Sequence, residues 1–521
     1  METLYNGIVL PAAWPPWTES PLDTQPMRVP YLERPPEIIP IDVGRQLLVD
    51  DFLIEETQFA RHFGRPVKHP GNPVFFPQSP SECDPAFPPT AVPKCGGVWY
   101  DTRDRQFKMW YMAGYLGAMA YATSPDGLHW TRPALDVVPG TNLVLPRSLH
   151  PDSGTAWIDE EASDPAQRYK LLVREGNLPG RHFFPAHLFT SGDGVHWTRA
   201  GETADMDDRS TCFYNPFRRR WVQSIRTWIH PRCRSRLYWE HADFVCSGQW
   251  QPKEPPFWVG ADTMDVCGDA RAQLYNLDAV AYESLMVGFF QILRGPPNQI
   301  GEARAEPKLT ELVLATSRDG FHWHRPDRRP FIGARREPGS WEFGYVESTG
   351  GVCLVVGDEL WFYYSAYAGE PACPRGPWQV NGMYGNGAVG LAKLRRDGFA
   401  AMQARFAGAD LLTRPLLFSG RHLFVNAQTS GARLSVECRD HENHPIEPFT
   451  HARCQAFRGN ATAAEIRWEG ADSLAALAAR PVRFHFTMDR GELYAFWVSP
   501  SPRGESRGYH GAGGPGIKGN A

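Results

Sequence analysis

The sequence predicts an all-β protein, a five-bladed β-propeller followed by a C-terminal β-sandwich. Three observations predict this fold. A short phrase recurs as "TSPDGLHWTRP" (123–133), "TSGDGVHWTR" (190–199) and "TSRDGFHWHRP" (316–326). The segments between the copies alternate apolar and polar residues and are rich in aromatic and β-branched residues, as strands are. Gly and Pro, with 49 and 47 of 521 residues, supply the turns that many short strands need.

The spacing of this repeated phrase gives the number of units. Its Asp is residue 126, 193 and 319, and the gaps of 67 and 126 residues imply a worn copy between the last two. We place that copy at 242–252 and a fifth at 390–402. Four short strands per unit of about 60 residues predict a propeller blade. We expect the early segment 45–56 to pair into the last blade and close the ring.

The repeated phrase itself predicts a structural role. Asp-Gly supplies a turn into the last strand, with Gly at positive φ and the carboxylate accepting backbone N–H groups. The Trp three residues after the Gly can pack between neighbouring blades. Since a catalytic residue is not needed at several equivalent places around a ring, function is expected elsewhere.

Composition divides the chain into four segments. We expect a Pro-rich strap at 1–40, the propeller at 41–405, a β-sandwich at 406–500 and a disordered Gly-rich tail at 501–521. The repeated phrase does not occur in the third segment, where strands such as "RLSVEC" and "LYAFWV" continue.

Charge and cysteine pattern exclude several classes of partner. The formal net charge of −4 argues against nucleic acid. Neither a signal peptide nor a membrane span is visible, so we expect a cytoplasmic protein that does not bind a membrane. Ten Cys without a CxxC pair make a zinc site improbable, and the His of the repeated phrase (His129, His196 and His322) suits packing. We expect no metal and no cofactor, and the oligomeric state stays open.

The repeats resemble those of the five-bladed glycoside hydrolase superfamily, which includes families 32, 43, 68 and 130 and a largely uncharacterised glycosyl-hydrolase-like group. Besides the repeated phrase, "HPGNPVFFP" (69–77) and "RHLFVNA" (421–427) carry the resemblance, which covers about residues 40–500. It implies a carbohydrate substrate and a site on the propeller axis, where the innermost strands begin. In family 32 a carboxylate at the first blade is the nucleophile, an Asp at the second binds hydroxyls, and a Glu at the third is the acid.

Three acidic residues at the starts of blades are the candidate catalytic groups, because glycoside hydrolysis needs paired carboxylates. Asp84 matches only the Asp-Pro of the family 32 motif and is the candidate nucleophile or base, an Asp-Pro turn being the structural alternative. Asp208 follows Asp205 and Asp207, and like charges would raise one pKa, which suits a general acid. A solvated acidic loop is its alternative. Glu347 is a candidate acid or base at the fifth blade.

Six further residues are candidate substrate contacts. Asp278 lies inside an apolar strand, where an unpaired carboxylate is costly to bury. Aromatic faces can stack on sugar rings, and Arg side chains can bind acidic sugars. The remaining five candidates are Tyr275, Tyr345, Trp341, Arg209 and Arg226.

The predicted function is a glycoside hydrolase acting on an oligo- or polysaccharide. Two alternatives stay open. One is a glycoside phosphorylase like those of family 130, in which basic residues on the propeller axis bind phosphate. The other is a carbohydrate-binding propeller that has lost its acid and base.

Overall fold

The computed structural model describes the chain except residues 17–19, 177–183, 231–232, 268–270, 371–381, 430 and 518–521. It is nearly all β, as the sequence predicts. The helices are α1 (Pro30–Glu33) and α2 (Asn298–Arg304), with 3₁₀ turns at Pro165–Gln167, Cys246–Gly248 and Ala475–Leu477. Among the described residues, none of the helices is long and apolar enough to cross a bilayer.

Thirty-three strands lie in the described part of the chain. The first five are β1 (Ile39–Pro40), β2 (Gln46–Leu47), β3 (Ile54–Thr57), β4 (Ala60–Phe63) and β5 (Val67–Lys68). The next seven are β6 (Ala91–Asp101), β7 (Gln106–Ala113), β8 (Ala118–Ser124), β9 (Pro151–Ile158), β10 (Tyr169–Glu175), β11 (Pro185–Ser191) and β12 (Thr198–Asp205). They are followed by β13 (Thr211–Asn215), β14 (Arg220–Ile229), β15 (Cys233–His241), β16 (Phe257–Gly260), β17 (Gln273–Glu283), β18 (Leu285–Gly295) and β19 (Leu309–Ser317).

The remaining strands run to the C-terminus. They are β20 (Gly344–Glu347), β21 (Leu354–Val356), β22 (Glu359–Tyr367), β23 (Gly387–Arg395), β24 (Ala400–Ala404), β25 (Ala409–Thr413) and β26 (Leu416–Leu417). The last seven are β27 (His422–Gln428), β28 (Leu434–Arg439), β29 (Cys454–Gln455), β30 (Asn460–Trp468), β31 (Arg483–Met488), β32 (Gly491–Ser499) and β33 (Tyr509–His510).

Five antiparallel sheets follow one another along the chain. Sheet 1 is β6-β7-β8, sheet 2 is β9-β10-β11-β12, sheet 3 is β13-β14-β15-β16, sheet 4 is β33-β17-β18-β19, and sheet 5 is β20-β22-β23-β5 with β21 beside β22. The first strands of successive sheets contact one another, from β6 to β9, β13 and β17. Strand β6 also contacts β22 and β23, so the succession closes on itself.

The segment that closes this succession differs from the expected one. Strand β5 pairs with β23, and Phe75 forms a bridge to Val389. The predicted segment 45–56 lies elsewhere, because β2 pairs with β32 and β3 with β25, in the C-terminal sheets. Its apolar side chains Leu48, Phe52, Leu53 and Ile54 are buried in the C-terminal core, which explains its apolar character without a place in sheet 5.

The repeated phrase forms the same turn in three sheets, as predicted. In the second copy one Asp193 oxygen accepts the N–H groups of Val195 and His196, at 2.8 Å each, and the other oxygen lies 2.7 Å from His196 Nδ1. Asp126 and Asp319 make the same set of contacts. The predicted role of the carboxylate in the turn is confirmed.

The Trp of each copy packs on the preceding sheet, also as predicted. Trp197 of sheet 2 lies against Trp110 of sheet 1, with ring centroids 6.3 Å apart. Trp323 of sheet 4 lies 6.4 Å from Trp258 of sheet 3. The preceding sheet also contacts the backbone of the repeated phrase, because Trp110 Nε1 donates to Gly194 O at 2.7 Å. The repeated phrase therefore joins neighbouring sheets.

Two further sheets share a second apolar core. Sheet 6 is β29-β30-β27-β32-β24-β4 with β2 beside β32, and sheet 7 is β28-β31-β25-β3; β1 pairs with β26. Phe486 of sheet 7 lies 5.3 Å from Phe496 of sheet 6, ring centroid to centroid. Strand β24 already belongs to sheet 6, so this unit begins before the expected boundary at 405.

A buried arginine ties the two units together. Arg45 Nη1 donates a hydrogen bond to Asp397 Oδ2 at 2.8 Å. The Arg45 guanidinium lies 4.1 Å from the centre of the Trp497 ring in sheet 6. Asp397 is the Asp of the fifth, worn copy of the repeated phrase, and it also accepts hydrogen bonds from Tyr282 and Asn426, at 2.6 and 2.9 Å. In the worn copy, the Asp carboxylate therefore contacts side chains of both units and does not serve as a local turn contact.

The C-terminal segment is ordered where we expected disorder. Strand β33 pairs with β17, and Ala512 accepts from the Tyr100 N–H at 2.9 Å and donates to Cys353 O at 2.7 Å. A Cβ at Gly514 would lie 1.7 Å from Val355 O, so the glycine content permits a close backbone approach. Residues 518–521 of the expected tail lie outside the described part.

Replacing Gly194 by Ala should destabilise the fold more than replacing Gly140. Both glycines have positive φ, +80° and +76°, which costs an alanine about 1–2 kcal/mol. A Cβ at Gly194 would lie 2.6 Å from Trp110 Cζ2, whereas nothing lies within 4 Å at Gly140. Overpacking of this kind costs about 1–3 kcal/mol more. Urea denaturation measures both losses, and equal losses would contradict close packing of the turn on sheet 1.

Candidate functional site

Charged side chains from all five of the first sheets meet near the start of their first strands. We call this group the charged cluster. It comprises Lys94 on β6, Asp152 on β9, Arg174 on β10, Asp208 and Arg209 between β12 and β13, Arg226 on β14, Arg234 and Arg236 on β15, Tyr275 on β17, Lys308 before β19, and Glu347 on β20.

Lys94, Asp152 and Arg174 form one side of the charged cluster. Lys94 Nζ and Arg174 Nη1 each lie 3.0 Å from a different oxygen of Asp152. Between Val92 and Gly97 the pairing of β6 with β7 shifts register, a bulge that re-aims the side chain of Lys94. Burial opposes the charge on Lys94, but the carboxylates of Asp152 and Glu347 outweigh it and raise its pKa.

Arg209 lies at the centre of the charged cluster and is 1% exposed. Its Nη1 donates to Lys94 O at 2.8 Å, its Nη2 to Gln291 Oε1 at 3.2 Å, and its Nε lies 3.6 Å from Glu347 Oε1. Its own carbonyl accepts from Arg236 at 2.8 Å. We expected Arg209 to contact substrate, but its burial makes it a structural link instead.

Glu347 is also buried, with no exposed surface. It faces Arg209, and Tyr367 donates to its Oε2 at 3.4 Å. We expected an acid or base that contacts substrate. The structure instead places this carboxylate beneath the surface as the counter-charge of Arg209, because the strand β20 on which it lies is buried throughout.

Asp208 is the most exposed carboxylate of the charged cluster, with 26% of its side chain exposed against 11% for Asp152. It accepts a hydrogen bond from Arg226 Nη1, and Asp207 Oδ1 lies 2.6 Å from the same nitrogen. Burial opposes its ionisation, but the positive charges of Arg226, Arg174, Arg234 and Lys94 outweigh this and lower its pKa.

This environment changes the chemistry expected of Asp208. The expected repulsion among Asp205, Asp207 and Asp208 would have raised the pKa of one of them. Asp205 instead turns away and accepts the Phe184 N–H at 2.8 Å, and arginines surround Asp208. A carboxylate with a lowered pKa is a base or nucleophile at neutral pH and not a general acid.

Tyr275 and Lys308 form a second buried pair. Lys308 Nζ donates to the Tyr275 hydroxyl at 2.7 Å, and the Arg234 guanidinium lies 5.0 Å from the centre of the tyrosine ring. Burial would raise the pKa of Tyr275, but the charges of Lys308 and Arg234 outweigh it and lower that pKa. Tyr345 lies beside them, its hydroxyl 3.4 Å from that of Tyr275.

Asp278 is buried, and one of its carboxylate oxygens accepts hydrogen bonds from two neutral groups. Asn276 Nδ2 donates to its Oδ2 at 2.8 Å, and the Ser348 hydroxyl donates to the same oxygen. The expected need of this carboxylate for hydrogen bonds is met within the protein. Like Glu347, Asp278 lies below the surface that a substrate could reach.

Two predicted residues lie apart from the charged cluster. The Asp84 carboxylate accepts the Ala86 N–H at 3.0 Å, which is the Asp-Pro turn of the structural alternative. In the described part of the chain no contact joins it to the charged cluster. Trp341 packs on Tyr364, with ring centroids 5.8 Å apart, in a groove with Lys68 and Glu342. Neither residue adjoins Asp208.

Trp228 is an exposed residue beside the charged cluster that sequence reasoning did not single out. It lies two residues beyond Arg226 on β14 and is 55% exposed. The guanidinium groups of Arg226 and Arg234 lie 6.0 and 5.0 Å from its ring. An exposed aromatic ring beside a carboxylate and arginines is an arrangement that suits a sugar. Trp228 lies on the same face of β14 as Arg226, so the pairing of these two side chains could have been expected from strand alternation.

The charged cluster carries more positive than negative charge. Three of its cations hydrogen-bond to neutral groups: Arg234 to Gln273 Oε1 at 2.7 Å, Arg236 to the Arg209 carbonyl at 2.8 Å, and Lys308 to the Tyr275 hydroxyl. A site of this kind favours an anionic ligand or an anionic transition state.

Comparison with known proteins gives structural neighbours only. No protein-family model and no curated protein matches the sequence. Solved structures that align with the chain include several named as glycoside hydrolases, at 11–14% identity and TM-scores of 0.39.

Three of these structures illustrate the similarity. An N-acetylgalactosamine deacetylase from F. plautii is 15% identical, covers 67% of this chain and 96% of its own, with a TM-score of 0.42. A thermostable family-43 glycoside hydrolase is 11% identical, covers 58% of this chain and 93% of its own, with a TM-score of 0.39. A fructofuranosidase from Schwanniomyces occidentalis is 12% identical over 81% and 98%, with a TM-score of 0.36.

Replacing Arg226 by Gln should destabilise the protein in a pH-dependent way. Since the pKa of Asp208 is lowered on folding, its ionised form adds stability above the unfolded pKa of about 3.9, and that stability is lost as pH falls. We expect a loss of about 1–3 kcal/mol at pH 7 that shrinks near and below pH 4. Denaturation at both pH values measures it.

Arg219→Gln is the matched control, because the Arg219 side chain is 80% exposed and lies 3.9 Å from Glu161. It should change stability by no more than about 0.5 kcal/mol at either pH. A loss for Arg226→Gln that is the same at pH 7 and near pH 4 would contradict the ionised state of Asp208.

Proposed function

We propose that this chain is a five-bladed β-propeller with a C-terminal β-sandwich, and that it hydrolyses a glycosidic bond at the charged cluster. Sheets 1 to 5 are the blades, and their closed succession and the shared turn of the repeated phrase support that number. Sheets 6 and 7 form the sandwich around the second core.

One observation carries the catalytic part of this proposal. Asp208 is a part-exposed carboxylate held ionised by arginines, and the exposed ring of Trp228 lies beside those arginines. A sugar ring stacked on Trp228 would bring its ring substituents toward Asp208. Stacking uses the apolar face of the sugar, while carboxylate and guanidinium groups bind its hydroxyls.

The role of Asp208 follows from its charge. As an ionised group it can attack the anomeric carbon or activate a water molecule, the two roles open to the second carboxylate of glycosidases. Arg226 fixes its orientation and keeps it deprotonated at neutral pH. The surrounding cations would also stabilise negative charge on a leaving oxygen.

A second candidate function is phosphorolysis, and the neutral partners of Arg234 and Lys308 favour it. In that reaction inorganic phosphate attacks the anomeric carbon in place of water, and spare cations would bind the phosphate. The same cations would suit a sugar that bears a carboxylate or sulfate. The two reactions differ in whether phosphate is consumed, so one assay separates them.

The test is a screen of aryl glycosides and oligosaccharides, with and without phosphate, using wild type and Asp208→Asn. We expect cleavage by wild type, and a loss of about 10²–10⁴-fold in kcat/KM for Asp208→Asn, because the amide can neither attack nor accept a proton. Products are identified by mass spectrometry, since a sugar phosphate marks phosphorolysis.

Asp136→Asn is the control. The Asp136 side chain is 78% exposed and contacts His196 of the repeated phrase. This substitution should leave kcat/KM unchanged. A screen in which wild type binds sugars but cleaves none would support the carbohydrate-binding alternative. Cleavage that survives Asp208→Asn unchanged would remove Asp208 from the mechanism.

A further inference from the structure

Two histidines and a glutamate on the outer face of sheet 7 direct their donor atoms at one another. Glu437 on β28 and His485 on β31 are directly opposite in the register. His451 reaches them from the connection between β28 and β29, and its Nε2 lies 3.0 Å from His485 Nδ1. One ligand atom from each of the three residues lies within 4.8 Å of the others.

The second nitrogen of each imidazole is held by a polar group. His451 Nδ1 lies 3.0 Å from the Ser435 hydroxyl, and His485 Nε2 lies 2.9 Å from Asp410 Oδ2. Metal-bound histidines in proteins are oriented in this way, by a carboxylate or hydroxyl on the nitrogen that does not bind the ion. Both rings are therefore held in place with their remaining nitrogens next to each other, 3.0 Å apart.

We propose that Glu437, His451 and His485 bind a zinc-like divalent transition-metal ion. Imidazole nitrogens and one carboxylate suit Zn²⁺, and four-coordinate geometry with bonds of about 2.0–2.2 Å separates ligand atoms by about 3.3 Å. The distance of 3.0 Å between the two nitrogens is close to that value. The ion would fasten the connection that carries His451 onto β31.

Arg439 lies where such an ion would bind, and it must move for the ion to enter. Its Nε donates to Glu437 Oε1 at 2.9 Å, and its Nη2 lies 3.0 Å from His485 Nδ1. The Arg439 side chain is 22% exposed, so it has a route toward solvent. Arginine and metal thus compete for the same two ligand atoms, and removing the arginine should strengthen metal binding.

A hydrogen-bond chain without a metal is the alternative explanation for the arrangement of these residues. Without a metal, a chain from Ser435 through His451 and His485 to Asp410 would satisfy the two rings. That chain predicts no stoichiometric metal uptake and no effect of Arg439 on it. The site lies in sheet 7 and the charged cluster in the first five sheets, so the proposal is independent of the glycosidase activity.

The test is isothermal titration of the full, chelator-treated chain with Zn²⁺ at neutral pH. We expect one ion per chain, a higher thermal midpoint with Zn²⁺, and loss of both effects in His451→Gln and His485→Gln. Asp410→Asn should weaken binding by about 10-fold or more. Arg439→Ala should tighten it.

Co²⁺ provides a readout that needs no variant. Bound by two nitrogens and a carboxylate in wild type, it should give the intense visible absorption of four-coordinate cobalt. His444→Ala and Cys246→Ala are controls, because they belong to the other two groups of possible ligands in the described part of the chain. The proposal is overturned if wild type takes up no Zn²⁺, or if uptake survives His451→Gln and His485→Gln but not a control.

Discussion

The burial of one guanidinium, that of Arg209, is the constraint on which the site depends. Its side chain and backbone contact Lys94 of sheet 1, Ser153 of sheet 2, Gln291 of sheet 4 and Glu347 of sheet 5, while Arg236 of sheet 3 donates to its carbonyl. A buried charge of this kind is costly unless it is fully partnered. The five sheets must therefore be correctly placed around Arg209 before the charged cluster can form.

This constraint separates the acids into two groups. Glu347 and Asp278 are buried and serve as partners for Arg209, Asn276 and Ser348, so they hold the sheets together. Asp208 lies one residue before Arg209, at the solvent side of the same loop, and meets the arginines of β14 and β15. Of these two adjacent residues, Arg209 is therefore a buried structural link and Asp208 is a part-exposed carboxylate. Trp228, farther along β14, completes the exposed side.

The sequence was informative where a pattern is local and repeated. Asp and Gly of the repeated phrase fix a turn through contacts within a few residues, so their roles could be predicted. Arg226 and Asp208 were also expected at the same site. Burial could not be predicted from the sequence. Arg209, Glu347 and Asp208 are all unrepeated polar residues at the predicted strand starts, and only packing distinguishes the first two, which are buried, from Asp208. The Gly-rich segment after 508 and the segment 45–56 were misplaced because their partners are hundreds of residues away.

The central claim is that a sugar binds over Trp228 with Asp208 at its reactive carbon. The most direct measurement is a crystal structure of Asp208→Asn soaked with an oligosaccharide that wild type cleaves or binds. The account predicts a sugar ring stacked on Trp228, with a hydroxyl or glycosidic oxygen within hydrogen-bond distance of residue 208. Sugar density confined to another place, such as the cavity of about 120 Å³ between Trp99 and Tyr509, would contradict it.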